Sequence, residues 1–414
     1  MTGAIGAVAK GRLLIETQPG ELRLAWCEAG EEGPLIDLVV TRSGPGQGGG
    51  GERGDIFLGR LGKSEKGLEA AFVELGLARP GFLPLADLAG ADSNEGASLL
   101  VKVVRPAGPG KGVKLTCQLS KAERAAVAGS AAAAQAPALL APGLDPLAAF
   151  LARRPEEVLV DDLAFYRRLK AEFTTADPEL AAGLRLVSTG PPLFESAGIE
   201  EEIERLLAPE VTLPSGGFLL VEPVRTLTAI DVNSARHSLH GGTQALARAV
   251  NLEAATAIAR ELRLRQLAGL IVIDFLALRR PGDRKAVVAA LKAALATDPA
   301  TTRVFPMAPS GLVEMTRQRR LRPLHEVLTR PAGDNGSGRV LRPESLAFEA
   351  LRRTRAGLAK NPVGGFRLRA SPAVVAALRD GTAAAARQAL EARLGRALDL
   401  EAVPGESAYQ ILRP

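Results

Sequence analysis

Two apolar runs that each end in an acid constrain this chain more than any other feature. Residues 226–233 read Thr-Leu-Thr-Ala-Ile-Asp-Val-Asn, and residues 270–275 read Leu-Ile-Val-Ile-Asp-Phe. Runs of this kind predict buried strands of an α/β sheet. Asp231 and Asp274 then lie near the carboxyl ends of their strands, which is the edge where such sheets bind ligands.

Two carboxylates held at one sheet edge predict a site for a hard cation with oxygen ligands. Magnesium keeps most of its waters and needs only one or two carboxylates, so Asp231 and Asp274 are sufficient. Such a metal can orient a phosphodiester and activate a bound water, and hydrolysis then needs no protein nucleophile. Asn233 lies on the same strand face as Asp231 and is predicted to hydrogen-bond the phosphate or the attacking water.

Other interpretations of these residues stay open on the sequence alone. Asp231 and Asp274 can instead cap helices or pair with nearby arginines. His237 and His240 are candidates for acid–base groups or metal ligands, but their Ser-Ala-Arg-His-Ser-Leu-His-Gly-Gly context favours surface histidines in a loop.

The elements around the two acids indicate a layered α/β domain. Apolar periodicity predicts paired strands at 218–223 and 226–232, further strands at 270–276 and 303–307, and helices at 243–265, 283–296 and 312–320.

The N-terminal part reads as β structure. A meander is predicted at 13–16, 22–27 and 35–40, followed by a glycine-rich join at 44–54. Five short strands follow at 56–61, 70–75, 81–85, 99–104 and 114–118, which favours a small closed barrel of the OB type. Phe57, Phe72 and Phe82 on its first strands are candidates for a base-stacking platform worth about 1–3 kcal/mol per base. The alternative is that these rings form the barrel core.

The remaining segments are connectors and helical regions. Residues 121–150 are alanine-rich with Pro137, Pro142 and Pro146, which predicts a nearly featureless connector. Helices are predicted at 161–172 and 195–207. A second connector at 329–342 precedes a small α+β domain with helices at 344–358 and 382–394 and strands at 365–369 and 397–403.

Length, charge and cysteine content narrow the protein class. A chain of 414 residues predicts two to four domains, and a net charge of +6 is only a mild basic excess. Arginines concentrated after residue 225 suggest a basic face, although solvated helix faces explain them equally well. Two cysteines make no disulfide scaffold, and neither an export signal nor a membrane span is visible, so a soluble cytoplasmic protein is expected.

Several motifs together resemble the ribonuclease E/G family. The resemblance covers most of the chain, including the barrel segments 67–74 and 81–85. Six further motifs occur in the family's order: Leu-Pro-Ser-Gly-Gly at 213–217, Leu-Thr-Ala-Ile-Asp-Val-Asn-Ser at 227–234, Asn-Leu-Glu-Ala-Ala at 251–255, Ala-Arg-Glu-Leu-Arg-Leu-Arg at 259–265, Gly-Leu-Ile-Val-Ile-Asp-Phe at 269–275 and Gly-Leu-Val-Glu-Met-Thr-Arg at 311–317.

The resemblance implies a multidomain α/β and α+β architecture. It implies an RNase H-like subdomain at 1–53 and 150–212 that is interrupted by an S1/OB β-barrel at 54–120. A shortened connector at 121–149 stands in place of the family's 5'-sensor. A DNase I-like α/β catalytic subdomain at 213–328, a linker at 329–342 and a small α+β C-terminal domain at 343–414 complete the expected order.

The resemblance also implies an activity. Asp231 and Asp274 are expected to hold magnesium while Asn233 assists, and Phe72, Phe82 and Lys111 match barrel positions that hold RNA. Phe57, Arg236 and Arg317 complete the candidate RNA-binding set. The implied reaction is endonucleolytic hydrolysis of single-stranded RNA, leaving 5'-phosphate and 3'-hydroxyl ends, in rRNA precursor processing and mRNA decay. A non-catalytic RNA-binding protein of the same fold is the alternative, and a DNA nuclease is disfavoured by the RNA-type barrel.

Three departures from the family pattern carry their own expectations. The 5'-sensor module is nearly missing, and Thr301 stands where the catalytic subdomain contributes an arginine, so weak preference for 5'-monophosphorylated RNA is expected. The family's zinc-linking cysteines are absent from 329–334, so neither zinc nor a zinc-bridged dimer is expected. A homodimer through the small domain is still compatible with the sequence.

Overall fold

The computed structural model describes most of the chain in two compact units, Met1–Thr41 with Phe150–Pro414 and Arg42–Ala149. Lys111, Arg236, His237 and His240, which the sequence singled out, lie outside the described residues. The described residues are 11–30, 33–42, 51, 53–77, 79–88, 94–107, 112–141, 143, 145–187, 190–224, 226–234, 243–332, 338–360, 366–405 and 408–412.

The N-terminal meander has the predicted strands. They are β1 (Gly11–Gln18), β2 (Glu21–Glu28) and β3 (Leu35–Arg42). β1 and β2 pair antiparallel up to Gln18 and Glu21, with Pro19-Gly20 between them. Gly20 has a φ of 89°, a conformation that favours glycine, which explains the tight turn.

The second unit is a closed five-stranded barrel, as the five short apolar runs predict. Its strands are β4 (Ile56–Glu65), β5 (Ala70–Glu74), β6 (Gly81–Pro84), β7 (Ser98–Arg105) and β8 (Lys114–Thr116). The order is β5-β6-β8-β7-β4, and β4 also pairs with β5, so the sheet closes on itself. An OB-like barrel of this kind encloses one apolar core, which includes Phe57, Leu83, Val101 and Leu115.

The alanine-rich connector is more ordered than the sequence analysis predicts. It forms α1 (Lys121–Ala133) and β9 (Ala138–Ala141), and β9 pairs antiparallel with β4. Ser120 and Glu123 form a capping box at the start of α1. Alanine is the strongest helix former, and the capped stretch before Pro137 is long enough for a helix, so composition that looked featureless still folds.

The first unit continues with strands and helices that complete a mixed sheet. The elements are α2 (Pro146–Leu151), β10 (Glu157–Val160), α3 (Leu163–Ala176), α4 (Pro178–Gly183), β11 (Leu184–Leu186), α5 (Leu193–Ser196) and α6 (Ile199–Leu207). The sheet order is β11-β10-β1-β2-β3, and β10 runs parallel to both β1 and β11. Ile199, Ile203 and Leu206 form the buried stripe of α6.

A six-stranded sheet carries the two strand-end acids. Its elements, in chain order, are β12 (Glu210–Thr212), β13 (Phe218–Pro223), β14 (Thr228–Asn233), α7 (Thr243–Leu264), β15 (Gly269–Asp274), α8 (Pro281–Ala294), β16 (Thr302–Val304), β17 (Leu312–Arg317) and α9 (Leu324–Leu328). The strand order is β12-β13-β14-β15-β17-β16, and only its central pair, β14 and β15, is parallel.

The predicted helix at 312–320 is wrong, because this segment forms strand β17. Val313, Met315 and Arg317 are buried while Leu312 and Glu314 are exposed, which is the period of two that a strand requires. β17 pairs antiparallel with β15 on one side and β16 on the other. Insertion between two strands therefore decides the conformation of a segment whose composition also suits a helix.

The C-terminal region is a small α+β arrangement, as predicted. Its elements are β18 (Thr329–Pro331), β19 (Arg339–Leu341), α10 (Pro343–Lys360), β20 (Arg367–Ala370), α11 (Pro372–Arg379), α12 (Ala384–Leu394), β21 (Asp399–Ala402) and β22 (Tyr409–Leu412). The described residues of this region thus form one more helix, α11, and three more strands, β18, β19 and β22, than expected. β18 and β19 pair within the predicted linker, and β20 lies between β21 and β22. Among the described residues no helix has the length and apolarity to cross a membrane.

Candidate active site

Asp231 and Asp274 lie directly opposite each other in the structure. β14 and β15 run parallel, and their register pairs Asp231 with Asp274 at the carboxyl ends of both strands. Neighbouring strands are about 4.8 Å apart, and residues in register point to the same face of a sheet. The two carboxylates therefore lie side by side.

This face of the six-stranded sheet is open, and the opposite face is packed. Ile230, Val232, Ile271 and Ile273 point into a core that also contains residues of α7 and α8. Asp231 and Asp274 alternate with these buried residues and are exposed. Parallel strands need a crossover connection, and α7 supplies it on the packed face, which leaves the acids facing solvent.

Asn233 lies beside the acids on the same face, as the alternation predicts. Its side-chain Nδ2 donates a hydrogen bond of 2.9 Å to Oδ2 of Asp231. The amide orients one carboxylate oxygen, and no donor among the described residues bonds to the amide oxygen of Asn233.

Within the described part of the chain, no cationic side chain compensates the charges of Asp231 and Asp274. Among the described residues neither carboxylate forms an ion pair, in contrast to the alternative in which nearby arginines neutralise them. The arginines of this region have other partners: Arg260 pairs with Glu202, Arg263 with Asp37 and Arg265 with Glu261. The basic face suggested by arginine content is accordingly smaller than the sequence implies.

Arg317 is a correction to the candidate RNA-binding set. It is 3% exposed, its Nε lies 2.7 Å from Oδ2 of Asp298, and its Nη1 donates to the carbonyl of Leu267. A buried arginine with these partners holds β17 to the segment before β16. It offers no donor to an RNA phosphate.

Phe57 is the second correction. Its side chain is 1% exposed inside the barrel core. Phe57 is therefore a core residue and is not available for stacking on RNA bases. Phe72 and Phe82 differ from it, since both are only half-buried and lie opposite each other on β5 and β6. Their rings pack edge to face with centroids 6.3 Å apart and offer the barrel's paired aromatic surface.

Two carboxamides that the sequence analysis missed fix the loop after Asp274. Asn251 on α7 is fully buried; it donates to the carbonyl of Leu276 at 2.8 Å and accepts from its N–H at 3.0 Å. Gln244, seven residues earlier on the same helix face, accepts from the N–H of Arg279 at 2.7 Å and donates to the carbonyl of Ala277 at 3.3 Å. The sequence signal for such a pair is two Asn or Gln residues seven positions apart in a predicted helix, because this spacing places both side chains on one helix face.

Gly311 supports Asp274 from the neighbouring strand. Its φ is +104°, and a Cβ at this position would meet the carbonyl oxygen of Phe275 at 2.2 Å. Only glycine fits between β15 and the start of β17. The chain around Asp274 is therefore positioned by β17 through Gly311 and by α7 through Asn251.

The donor set fits a hydrated divalent cation. Two adjacent, exposed carboxylates and one amide oxygen are hard oxygen ligands, and an open position leaves room for metal-bound waters. Among the described residues no group of three or more His, Cys, Asp and Glu side chains can hold a metal. Asp231 and Asp274 are candidates because they lie in register and have no ion-pair partner among the described residues.

The fold and this site define a multidomain α/β protein with an OB-like barrel and a paired-acid centre. A sequence model of the ribonuclease E/G family matches residues 118–320, which include both acids and Asn233. The chain is 28% identical to Ribonuclease G of Haemophilus influenzae over 82% of this chain and 86% of that protein. It is 26% identical to Ribonuclease G of Salmonella typhimurium over 95% and 97% of the two chains. Ribonuclease E of Escherichia coli strain K12 is 29% identical over 83% of this chain and 40% of its own length. Over most of its length the chain is therefore similar to ribonucleases of the E/G family.

Proposed function

We propose that the protein is a magnesium-dependent endoribonuclease that hydrolyses single-stranded RNA at Asp231 and Asp274. The observation that carries the proposal is the in-register acid pair on an exposed sheet face, which has no ion-pair partner among the described residues and lies within the segment that matches the family. The relatives that cover most of their own length are named Ribonuclease G, which supports RNA as the substrate.

The chain's own residues supply binding and orientation. Asp231 and Asp274 would hold the metal, which when bound stabilises charge on the scissile phosphate and lowers the pKa of a bound water. Asn233 orients the Asp231 carboxylate and presents its amide to the phosphate or to the attacking water. The exposed sheet face admits a polymer, whereas an enclosed cavity would admit only a small molecule. Phe72 and Phe82 supply stacking surfaces for unpaired bases.

The finer family features belong to the same proposal. The mixed sheet built from β1–β3, β10 and β11 would be the RNase H-like subdomain, and the six-stranded sheet the DNase I-like subdomain. The products would carry 5'-phosphate and 3'-hydroxyl ends, with precursor rRNA and mRNA in the cytoplasm as substrates. The small α+β region would pair two subunits without zinc.

Cleavage of a short end-labelled RNA tests the proposal directly. The wild type should cut it only with magnesium, and Asp274→Asn should lower the rate by about a hundredfold to a thousandfold, since several kcal/mol of charge stabilisation are lost. Glu222→Gln is the matched control, because Glu222 is exposed on neighbouring β13. A wild type that binds RNA without cutting it would favour the non-catalytic RNA-binding alternative.

The missing 5'-sensor gives a second test of the assignment. Matched RNAs with 5'-monophosphate and 5'-hydroxyl ends should be cut at rates within tenfold of each other, because Thr301 offers no guanidinium to a terminal phosphate. A larger difference would show that another residue of this chain senses the 5' end.

A further inference from the structure

An exposed arginine and a half-buried phenylalanine form a cation–π pair on the same face of the sheet as the acids. The guanidinium carbon of Arg303 lies 4.8 Å from the ring centroid of Phe305. Arg303 is exposed and Phe305 is half-buried. Among the described residues Arg303 forms no ion pair, not even with Glu314 on the neighbouring strand.

The register places this pair on the acids' face of the sheet. Arg303 on β16 is opposite Thr316 on β17, and Thr316 is exposed between buried Met315 and Arg317. The N–H of Phe305 donates to the carbonyl of Glu314 at 3.0 Å, which extends the pairing beyond β16. Arg303 and Phe305 are two residues apart, so both side chains point to the open face.

The pair is held at a fixed distance from the acids. β17 is the one strand between β15 and β16, so β15 is about 10 Å away by two strand spacings. Arg303 is level with Leu270 and Phe305 with Val272, so the pair is also offset from Asp274 by two to four residues, about 7–13 Å, along the strand. The buried pair of Arg317 and Asp298, together with the hydrogen bond from the N–H of Gln318 to the carbonyl of Thr301, ties β16 to β17. A rigid sheet therefore connects the stacked pair to Asp274.

We propose that Arg303 and Phe305 form a nucleotide platform for RNA that flanks the cleaved bond. A base stacks on the outer plane of the Arg303 guanidinium, which the Phe305 ring backs, while the guanidinium edge donates to an adjacent phosphate. Unpaired bases are recognised by stacking on aromatic rings and arginine planes, and a cation held over a ring presents both chemistries at one place. The platform rests on the proposed RNA substrate and extends the site beyond the acids.

Binding of abasic RNAs to the full chain tests the platform. A set of single-stranded oligonucleotides, each with one abasic position, is titrated in calcium without magnesium so that affinity is measured without cleavage. For the wild type, an abasic site at the position that stacks on the platform should weaken binding by about five- to 150-fold, in addition to any position that stacks on Phe72 or Phe82. Arg303→Lys keeps the charge but lacks the plane, and Phe305→Leu keeps apolar bulk but lacks the ring, so both should lose this position-specific penalty. Lys292→Ala, an exposed cation on α8, should keep it.

The outcomes separate the platform from the proposed reaction. Arg303→Lys and Phe305→Leu variants that retain the wild-type melting temperature and the full wild-type abasic profile would overturn the platform, even with cleavage intact. If one abasic position weakens RNA binding by the wild type but not by either variant, the platform is supported, even if magnesium produces no cleavage. Both results are differences in RNA affinity between variants that keep Asp231 and Asp274, so neither depends on whether these aspartates support cleavage.

Discussion

Two acid pairs occupy similar places in the five-stranded and the six-stranded sheet of the first unit, and their surroundings differ completely. Asp231 and Asp274 lie opposite each other on parallel strands β14 and β15. Glu16 and Asp161 directly follow the paired residues Ile15 and Val160 on parallel strands β1 and β10. The first pair is exposed, and the second pair is buried.

Arginines make the difference between the pairs. Arg23 lies 2.7 Å from Glu16 and 2.6 Å from Glu200, Arg352 lies 3.7 Å from Glu16, and Arg355 pairs with Asp161. These guanidiniums compensate the charges of both carboxylates. A strand-end acid pair is therefore a metal-site candidate only where the protein leaves its charge unpaired.

The largest expected effect comes from removing the compensation at the buried pair. Arg23→Ala leaves Glu16 and Glu200 without their shared partner, which should cost about 3–5 kcal/mol of unfolding free energy. Denaturant unfolding followed by fluorescence of Trp26, which is buried on the same strand as Arg23, measures it. Asp231→Asn is the matched change at the exposed pair and should alter the unfolding free energy by less than about 0.5 kcal/mol. Equal costs at both sites would contradict the contrast.

A pH dependence comes next in size. Burial and the neighbouring Glu16 raise the pKa of Asp161 from 3.8 to about 6, although Arg355 opposes the shift. As pH rises, the Asp161 carboxyl loses its proton near pH 4 in the unfolded chain but only near pH 6 in the folded chain. The contribution of Asp161 to stability is therefore complete below about pH 4 and is lost as pH rises to about 6. The loss should be about 3 kcal/mol, since one pKa unit is about 1.4 kcal/mol.

Comparison with Asp161→Asn isolates this contribution. The amide stays neutral, so the unfolding free energy of the wild type minus that of the variant should fall between pH 4 and 6. A difference that is flat over this range, or that rises with pH, would show that Asp161 is charged at low pH and stabilised by Arg355.

The third predicted effect, similar in size to the second, concerns the support of the exposed pair. Asn251→Ala leaves the N–H and carbonyl of Leu276 without partners, which should cost about 2–4 kcal/mol. Because Leu276 follows Asp274 closely, manganese affinity should fall as well. Gln244→Ala, which removes the more exposed clamp, should cost less than about 1 kcal/mol. Weaker stability in Asn251→Ala with unchanged manganese affinity would make Asn251 a fold residue without influence on the site.

The sequence predicts the acid pair well because the information is local. Apolar runs with an acid at the end define β14 and β15, and the period of two places Asn233 beside Asp231. The five barrel strands follow from similarly short runs between turns. In each case the pattern within a few residues is sufficient.

Features that depend on distant partners escape the sequence. The helix predicted at 312–320 is a strand because β15 and β16 flank it, and Arg317 is not an RNA contact because Asp298 neutralises it. Phe57 and Phe72 look alike in sequence, but only the closed barrel decides which ring points inward. Asn251 lacks a visible role until the loop after Asp274 is in place.

Manganese binding tests the central claim most directly, because Mn²⁺ replaces magnesium at oxygen sites and is detected by paramagnetic resonance. The wild type should bind manganese, and Asp231→Asn and Asp274→Asn should each weaken binding by tenfold or more, by an order-of-magnitude expectation for loss of one carboxylate ligand. Asp161→Asn should bind as the wild type does. Manganese affinity that survives both substitutions at the exposed pair, or that is lost in Asp161→Asn, would contradict the assignment of the metal to Asp231 and Asp274.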